Sequence, residues 1–162
     1  MALGLPTDLI AAVGSKVFIG NALPSTYDTA GFDAVTWTEI GLIESIGEFG
    51  ADAEIGEFTP LGTGIKAKTM GASDYGSFPM TIGKTATDDG LVALLAHQGQ
   101  PGALPFKVEL SKTGTLRNHR FMFAGLTKKT STAIGQSPEM VRVMAEVVLV
   151  SDYVEAPAAN TG

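Results

Sequence analysis

Gly83-Lys84-Thr85 is the segment of this sequence most easily mistaken for chemistry. It stands between an alternating apolar stretch and a helix-like one, where a phosphate-binding loop would stand. Such a loop also needs a glycine five positions before Gly83, so that its amides can fold around the phosphate; that position holds Phe78. Asp88 and Asp89 follow and would repel an anion. No nucleotide site is expected. His97 and His119 fall on different elements and neither has a second ligand nearby, so a metal centre is not expected either. A helix-end or solvated role suits them, and His97 fits a helix C-terminus. Asp88 and Asp89 are adjacent, point in different directions on a helix and cannot work as an acid/base pair; capping explains them. Ser73 lies between Ala72 and Asp74, with no nucleophile elbow around it. The chain has no Cys, which removes disulfides, thiolate nucleophiles and Cys-bound metals. The expectation is a protein that is not an enzyme, with no catalytic residue, metal or cofactor.

Composition points the same way. The chain has 162 residues, 44% of them hydrophobic, enough for a core in one domain of ordinary size. Only 17% are charged, and Gly numbers 20, which fits a surface largely covered by neighbours. The net charge of −6 is uneven: residues 1–57 hold nine acids and one base, residues 58–162 eight acids and ten bases. Two readings of that split are open, an acidic face meeting a basic one head to tail and chance plus solubility. Lys128-Lys129 is the sole basic doublet, so tight binding to DNA is not expected. The N-terminus lacks the basic region of a signal peptide, and no apolar run approaches the about 20 residues of a membrane helix. A soluble start in the cytoplasm where the chain is made is expected.

The elements that would position any site are mostly strands. Residues 1–14 form an arm or short helix, with Thr7 as cap before Leu9, Ile10 and Val13. Ser15–Gly20 and Val35–Ile40 are predicted strands, with a loop over Asn21–Asp33 between them. Residues 41–64 carry six glycines with short β-like pieces such as Glu54–Phe58, and suggest a long, partly mobile hairpin or loop. Ile65–Met70 is a strand, Gly71–Gly76 a turn, and Ser77–Lys84 a strand with Phe78, Met80 and Ile82 on one face. Thr87–Gln98 is a helix: Thr87 caps it, Leu91, Leu94 and Leu95 make its stripe, and Gly99 stops it. Leu104–Leu110 and Leu116–Ala124 are strands, Gly125–Pro138 is polar and could hold a short edge strand, and Met140–Asp152 holds the longest alternation. Residues 153–162 are a flexible tail. The sum is a mainly β domain over residues 15–152, a β-sandwich or partly closed barrel with one α-helix packed on its side.

From Trp37 onward the order of features resembles a known family. Trp37, Ile40, Ile43, Ile46 and Phe49 run out of a strand through a Gly-rich turn. Thr59-Pro60-Leu61 follows, then Gly71–Gly76 with Asp74, then the capped helix Asp89-Gly90-Leu91 to Leu95, two alternating strands and a final Val-rich strand. Over Val35 to Asp152 this resembles the tail tube proteins of long-tailed (siphophage-type) bacteriophages and related gene-transfer and pyocin-like tails, in spacing and order and without an invariant motif. The resemblance implies hexameric rings of self-associating subunits, stacked into a hollow tube. It implies a virion protein assembled in the bacterial host cytoplasm, with tape-measure, tail terminator and distal tail proteins as partners. DNA would pass through the tube during ejection without specific binding. A ring protein of a contractile tail or secretion system shares the implied fold, and a non-phage β-sandwich binding module is the further alternative. An acidic lumen would repel phosphates, spaced about 1.7 Å per charge on duplex DNA, and let the genome slide. Glu44, Glu48, Asp52, Glu54 and Glu57 are the candidate lumen or ring-contact acids.

Overall fold

The computed structural model describes residues 14–110 and 119–156. The elements in chain order are β1 (Lys16–Gly20), α1 (Thr29–Asp33), β2 (Trp37–Ile40), β3 (Ile43–Ile46), β4 (Asp52–Phe58), β5 (Ala67–Asp74), β6 (Ser77–Gly83), α2 (Asp89–His97), β7 (Leu104–Glu109), β8 (Arg120–Ala133), β9 (Arg142–Leu149) and β10 (Val154–Ala156). The expected arm, apart from Gly14, lies outside the described residues, as do Leu116 to Asn118 of one predicted strand and 157–162 of the expected tail.

Alternation builds the sheet. Phe78, Met80 and Ile82 of β6 and Val143, Ala145, Val147 and Leu149 of β9 are buried, and the residues between them face outward. The strands run in the order β2-β1-β7-β8-β9-β6-β3, with β10 on a further edge of β8. All pairings are antiparallel. Ile19 and Ile40 from one end of this order share a core with Ile82 and Val143 from the other, so the sheet must fold over on itself. It folds at β8: Arg120–Gly125 pair with β7, and Gly125–Ala133 pair with β9. The opposite side is closed by Gly41-Leu42, which join β2 to β3, the two ends of the order. The result is the expected mainly β architecture, a flattened sandwich or barrel with a helix against it. Phe49, Phe78, Phe121, Phe123 and Tyr153 fill one end, with ring centroids 5.3–5.8 Å from Phe49.

Helix α2 is held at both ends. Asp88, not Thr87, is its cap: Oδ1 accepts from the Leu91 amide at 3.2 Å, while Oδ2 accepts from the Gly41 amide at 3.0 Å in the link that closes the barrel. A carboxylate offers two acceptor oxygens, so one side chain serves both backbone groups. Replacing Asp88 by Ala strands both amides and is expected to cost about 2 kcal/mol in a urea titration. At the other end His97 is in the last turn, the helix C-terminus expected for it, and is buried there. Its Nε2 donates to the Gly102 carbonyl at 2.6 Å, which leaves Nδ1 to accept from the Thr127 hydroxyl at 2.9 Å, a neutral tautomer inferred from its partners.

Further expectations change. Gly71 to Asp74, expected as a turn, continue strand β5 opposite β4. The polar stretch after Gly125 is longer than a short strand: Gly125–Ala133 continue β8 and pair with β9, with a register shift between Thr127 and Lys129, and beyond Gly125 they pair on that side alone among the described residues, as an edge does; Thr suits such a pleated surface with one wet face. Asn21–Asp33 contains α1, a single turn capped by Asp28, whose carboxylate accepts from the Gly31 amide at 2.7 Å. Val154–Ala156, expected in the tail, pair with β8, and Phe32, Met122 and Ala156 form a second small core on the outer face with Trp37 and Val154. Lys107 lies over the rings of Phe18 and Trp37, at 4.3 and 5.0 Å, and burial pushes its pKa down.

Asp28 supplies a pH dependence. Its bonds from the Gly31 amide and then from the Thr26 hydroxyl hold its pKa below the ordinary 3.8. A depressed carboxylate contributes stability that is present above the unfolded value and is lost as pH falls through the folded one. The α1 turn is therefore expected to loosen below pH 3.8. Trp37, the only Trp, donates its indole N–H to the Phe32 carbonyl of α1 and reports it. Trp fluorescence titrated in acid is expected to show a step that Asp28→Asn removes.

Candidate functional site

The most unusual surface is the hairpin of β4 and β5. It pairs with no other strand among the described residues, and almost every side chain on it is exposed. A lone two-stranded hairpin is marginally stable in water. This one carries Ile55, Phe58, Leu61, Ile65 and Met70, each 60–105% exposed. Ile55 lies opposite Met70, and Glu57 opposite Lys68, on one face; Phe58 opposite Ala67 lies on the other. Apolar groups therefore project from both faces, and packing against one surface would leave the other bare. Contiguous exposed apolar area of this kind marks a surface that binds another protein.

The candidate acids do not form one stripe. Glu44, on β3, is hydrogen-bonded to Arg142 of β9, and that bond and charge raise the guanidinium pKa. Glu48 is exposed between β3 and β4. Asp52, Glu54 and Glu57 share β4, and Glu57 pairs with Lys66 at 3.4 Å. Asp52 sits opposite Asp74 at the hairpin base, a like-charge pair that weakens an isolated hairpin. The hairpin's apolar residues went unremarked in the sequence as site residues. Their signal was large aliphatic and aromatic side chains set among glycines and acids, where no core period accounts for them.

Among the described residues, the two ends of the strand order are paired on one side alone, β2 with β1 and β3 with β6. Unpaired N–H and C=O groups there can accept a further strand. No group of three or more His, Cys, Asp or Glu able to hold a metal occurs among the described residues. No helix among them is long and apolar enough to cross a membrane.

No family model matches the chain, and no curated protein matches it. Solved structures do. The sheath/tube terminator of an extracellular contractile injection system (PVC) aligns with TM-score 0.68 and 11% identity, over 96% of this chain and 99% of that one. The tail tube of SPP1 aligns with TM-score 0.59 and 12% identity, over 94% of this chain and 82% of that one. The chain has a tail-tube-like fold. A chain of the anti-feeding prophage (AFP) baseplate is similar at TM-score 0.62 and 10% identity, over 88% of this chain and 91% of that one. At these identities the likeness is one of fold: the folded-over sheet and its single long helix. It is the fold that the resemblance in the order of elements from Trp37 to the last strand implied.

Proposed function

We propose that this chain is a structural subunit of a phage-type tail tube: copies of it close into hexameric rings, and rings stack into a hollow tube that conducts DNA during ejection. The observation that supports the reading is the β4–β5 hairpin, whose exposed apolar side chains have no cover among the described residues. A neighbouring copy supplies the cover. The open edges of β2 and β3 extend into neighbours' strands within a ring, and the hairpin reaches the adjacent ring. Ring closure uses one heterologous interface, while stacking uses another that stays open and grows a filament. Asp52, Glu54 and Glu57, being on the hairpin, belong with ring contact; Glu48 is the candidate for an acidic lumen, and Glu44 is partly neutralised by Arg142. Tape-measure, terminator and distal tail proteins bind the tube's bore and ends, within a virion tail assembled in the host cytoplasm. No step of this role needs an enzyme, a cofactor or a membrane.

A second reading has its own support. The two higher TM-scores belong to chains from contractile injection assemblies, and one of these is a sheath/tube terminator. A terminator-like subunit would close a ring and stop. Negative-stain microscopy of the purified protein separates the readings. Rods with a central channel support the tube, single closed rings support the terminator, and a monodisperse monomer at high concentration contradicts both.

A further inference from the structure

The β4–β5 hairpin leaves the folded-over sheet at the end where β6 begins, just before Ser77. From there β6 runs seven residues, about 20 Å, to Gly83 at the opposite end. Leu42, Gly83, Arg142 and Ala133 form one row at that opposite end. The Gly83 amide donates to the Leu42 carbonyl at 2.8 Å, Gly83 pairs with Arg142, and Arg142 pairs with Ala133. Three large apolar side chains stand at this row or just past it: Leu42, Ile134 and Met140, 64%, 72% and 77% exposed. None of them belongs to either core. Leu42 has φ 55°, in the left-handed region, the only non-glycine residue with positive φ among the described residues. Leucine there costs about 1–3 kcal/mol, which glycine would avoid. Ile134 and Met140 sit on the turn between β8 and β9, and that turn is held in shape: the Glu139 carboxylate accepts from the Gln136 amide at 3.1 Å. Large apolar groups gathered outside the core mark a surface that meets another protein.

We propose that this rim of Leu42, Ile134 and Met140 receives the hairpin tip of a second copy, stacked in the adjacent ring. The tip presents Phe58, Leu61 and Ile65, 69–105% exposed. The inference rests on the tube reading and names the surface that the hairpin meets. Position is the first argument. Donor and acceptor stand at opposite ends of one chain, so head-to-tail repeats join them at every junction, leave one of each free and grow a filament. Charge is the second argument. Residues 52–74 hold four acids and two bases. Two hairpins set against each other would oppose two net negative surfaces, each with Asp52 beside Asp74 at its base. The rim instead offers Lys84, whose amide donates to the Val141 carbonyl at 3.0 Å beside the same row. Its side chain is exposed and makes no ion pair among the described residues. The acids nearest the rim are already engaged, Glu139 with the turn and Glu44 with Arg142. An acidic, apolar tip therefore meets an apolar seat with a cation beside it.

Because the chain has no Cys, engineered thiols report contacts without ambiguity. Two full-length proteins, one carrying Leu61→Cys and the other Met140→Cys, are mixed under assembling conditions and oxidised, and the disulfides are located by gel migration and peptide mapping. A 61–140 disulfide is expected to exceed both homodimers together. A dominant 61–61 product would mean that hairpins meet hairpins, and would overturn the proposal. Ile134→Cys replaces Met140→Cys should that variant not fold. The full-length double variant Ile134→Asp with Met140→Asp is the second arm. It is expected to lose rods in negative stain while its thermal midpoint stays within a degree or two, since both positions are exposed. Rods formed normally by this variant would overturn the seat and leave the tube reading standing. Parent chain that forms no rods at all would instead remove the tube reading, and the seat with it.

Discussion

Replacing Ile55 and Met70 together by Glu is expected to abolish ring and tube formation while leaving the subunit folded. The two side chains are cross-strand partners on one face of the hairpin, 60% and 78% exposed in the single chain. Covering an aliphatic side chain of this size contributes about 1.5–3 kcal/mol. Burying a Glu in its place, without a cation to meet it, costs several kcal/mol more. The loss recurs at every subunit contact, so the effect on assembly is close to all-or-none. Folding is spared because these residues contribute little to the subunit's own core, and exposed substitutions usually change stability by no more than about 0.5 kcal/mol. Sedimentation velocity should show monomer where the parent chain forms larger species, with superimposable thermal melts of the dissociated proteins. A double variant that assembles normally would remove this face from the interface.

Gly90→Ala is expected to give a large loss of stability for a single methyl group. Gly90 lies in the first turn of α2, where the helix meets β2. A Cβ there would stand 2.2 Å from the Glu39 carbonyl oxygen and 2.8 Å from the Ile40 Cα. Both are backbone atoms of a paired strand and cannot swing away as a side-chain tip would. Either the helix lifts, which exposes Leu91 and Leu94 and pulls Asp88 from the Gly41 amide, or β2 shifts. Overpacking of this sort costs about 3 kcal/mol or more, a large share of a total of roughly 5–15. The thermal midpoint should fall by about 6–12 °C for a chain of this length. Gly102→Ala, with nothing within 4 Å of the new Cβ, should leave the midpoint within a degree or two. Equal behaviour of the two variants would mean that α2 does not pack on β2 as described.

The parts of the fold with a period were legible from residues alone. Phe78, Met80 and Ile82, and Val143 through Leu149, alternate because one face of each strand is buried, and the structure buries that face. The capped helix after Thr87 was legible to within a residue, since Asp88 and Thr87 are both good caps and only the contact with Gly41 favours the former. The second half of β8 was not legible. Lys128, Lys129, Thr130 and Ser131 carry no apolar period, and their strand exists because β9 pairs with them along their length. The α1 turn was missed for a similar reason, since one turn offers a cap and no repeat. His97 was legible as a helix end but its burial was not, because sequence shows neither Thr127 nor the Gly102 carbonyl beside it. The acid excess before residue 58 was visible, but which acids are spent on ion pairs, as Glu44 and Glu57 are, depends on cross-strand partners.

Hydrogen exchange of the hairpin amides, compared between dilute subunits and the assembled protein, tests most directly whether another copy completes this subunit. Residues 52–58 and 67–74 are expected to exchange quickly in the dilute chain and to gain at least a hundredfold protection on assembly, with β6 and β9 protected throughout. Hairpin amides that exchange at the same rate in both states, whether fast or slow, would contradict the account.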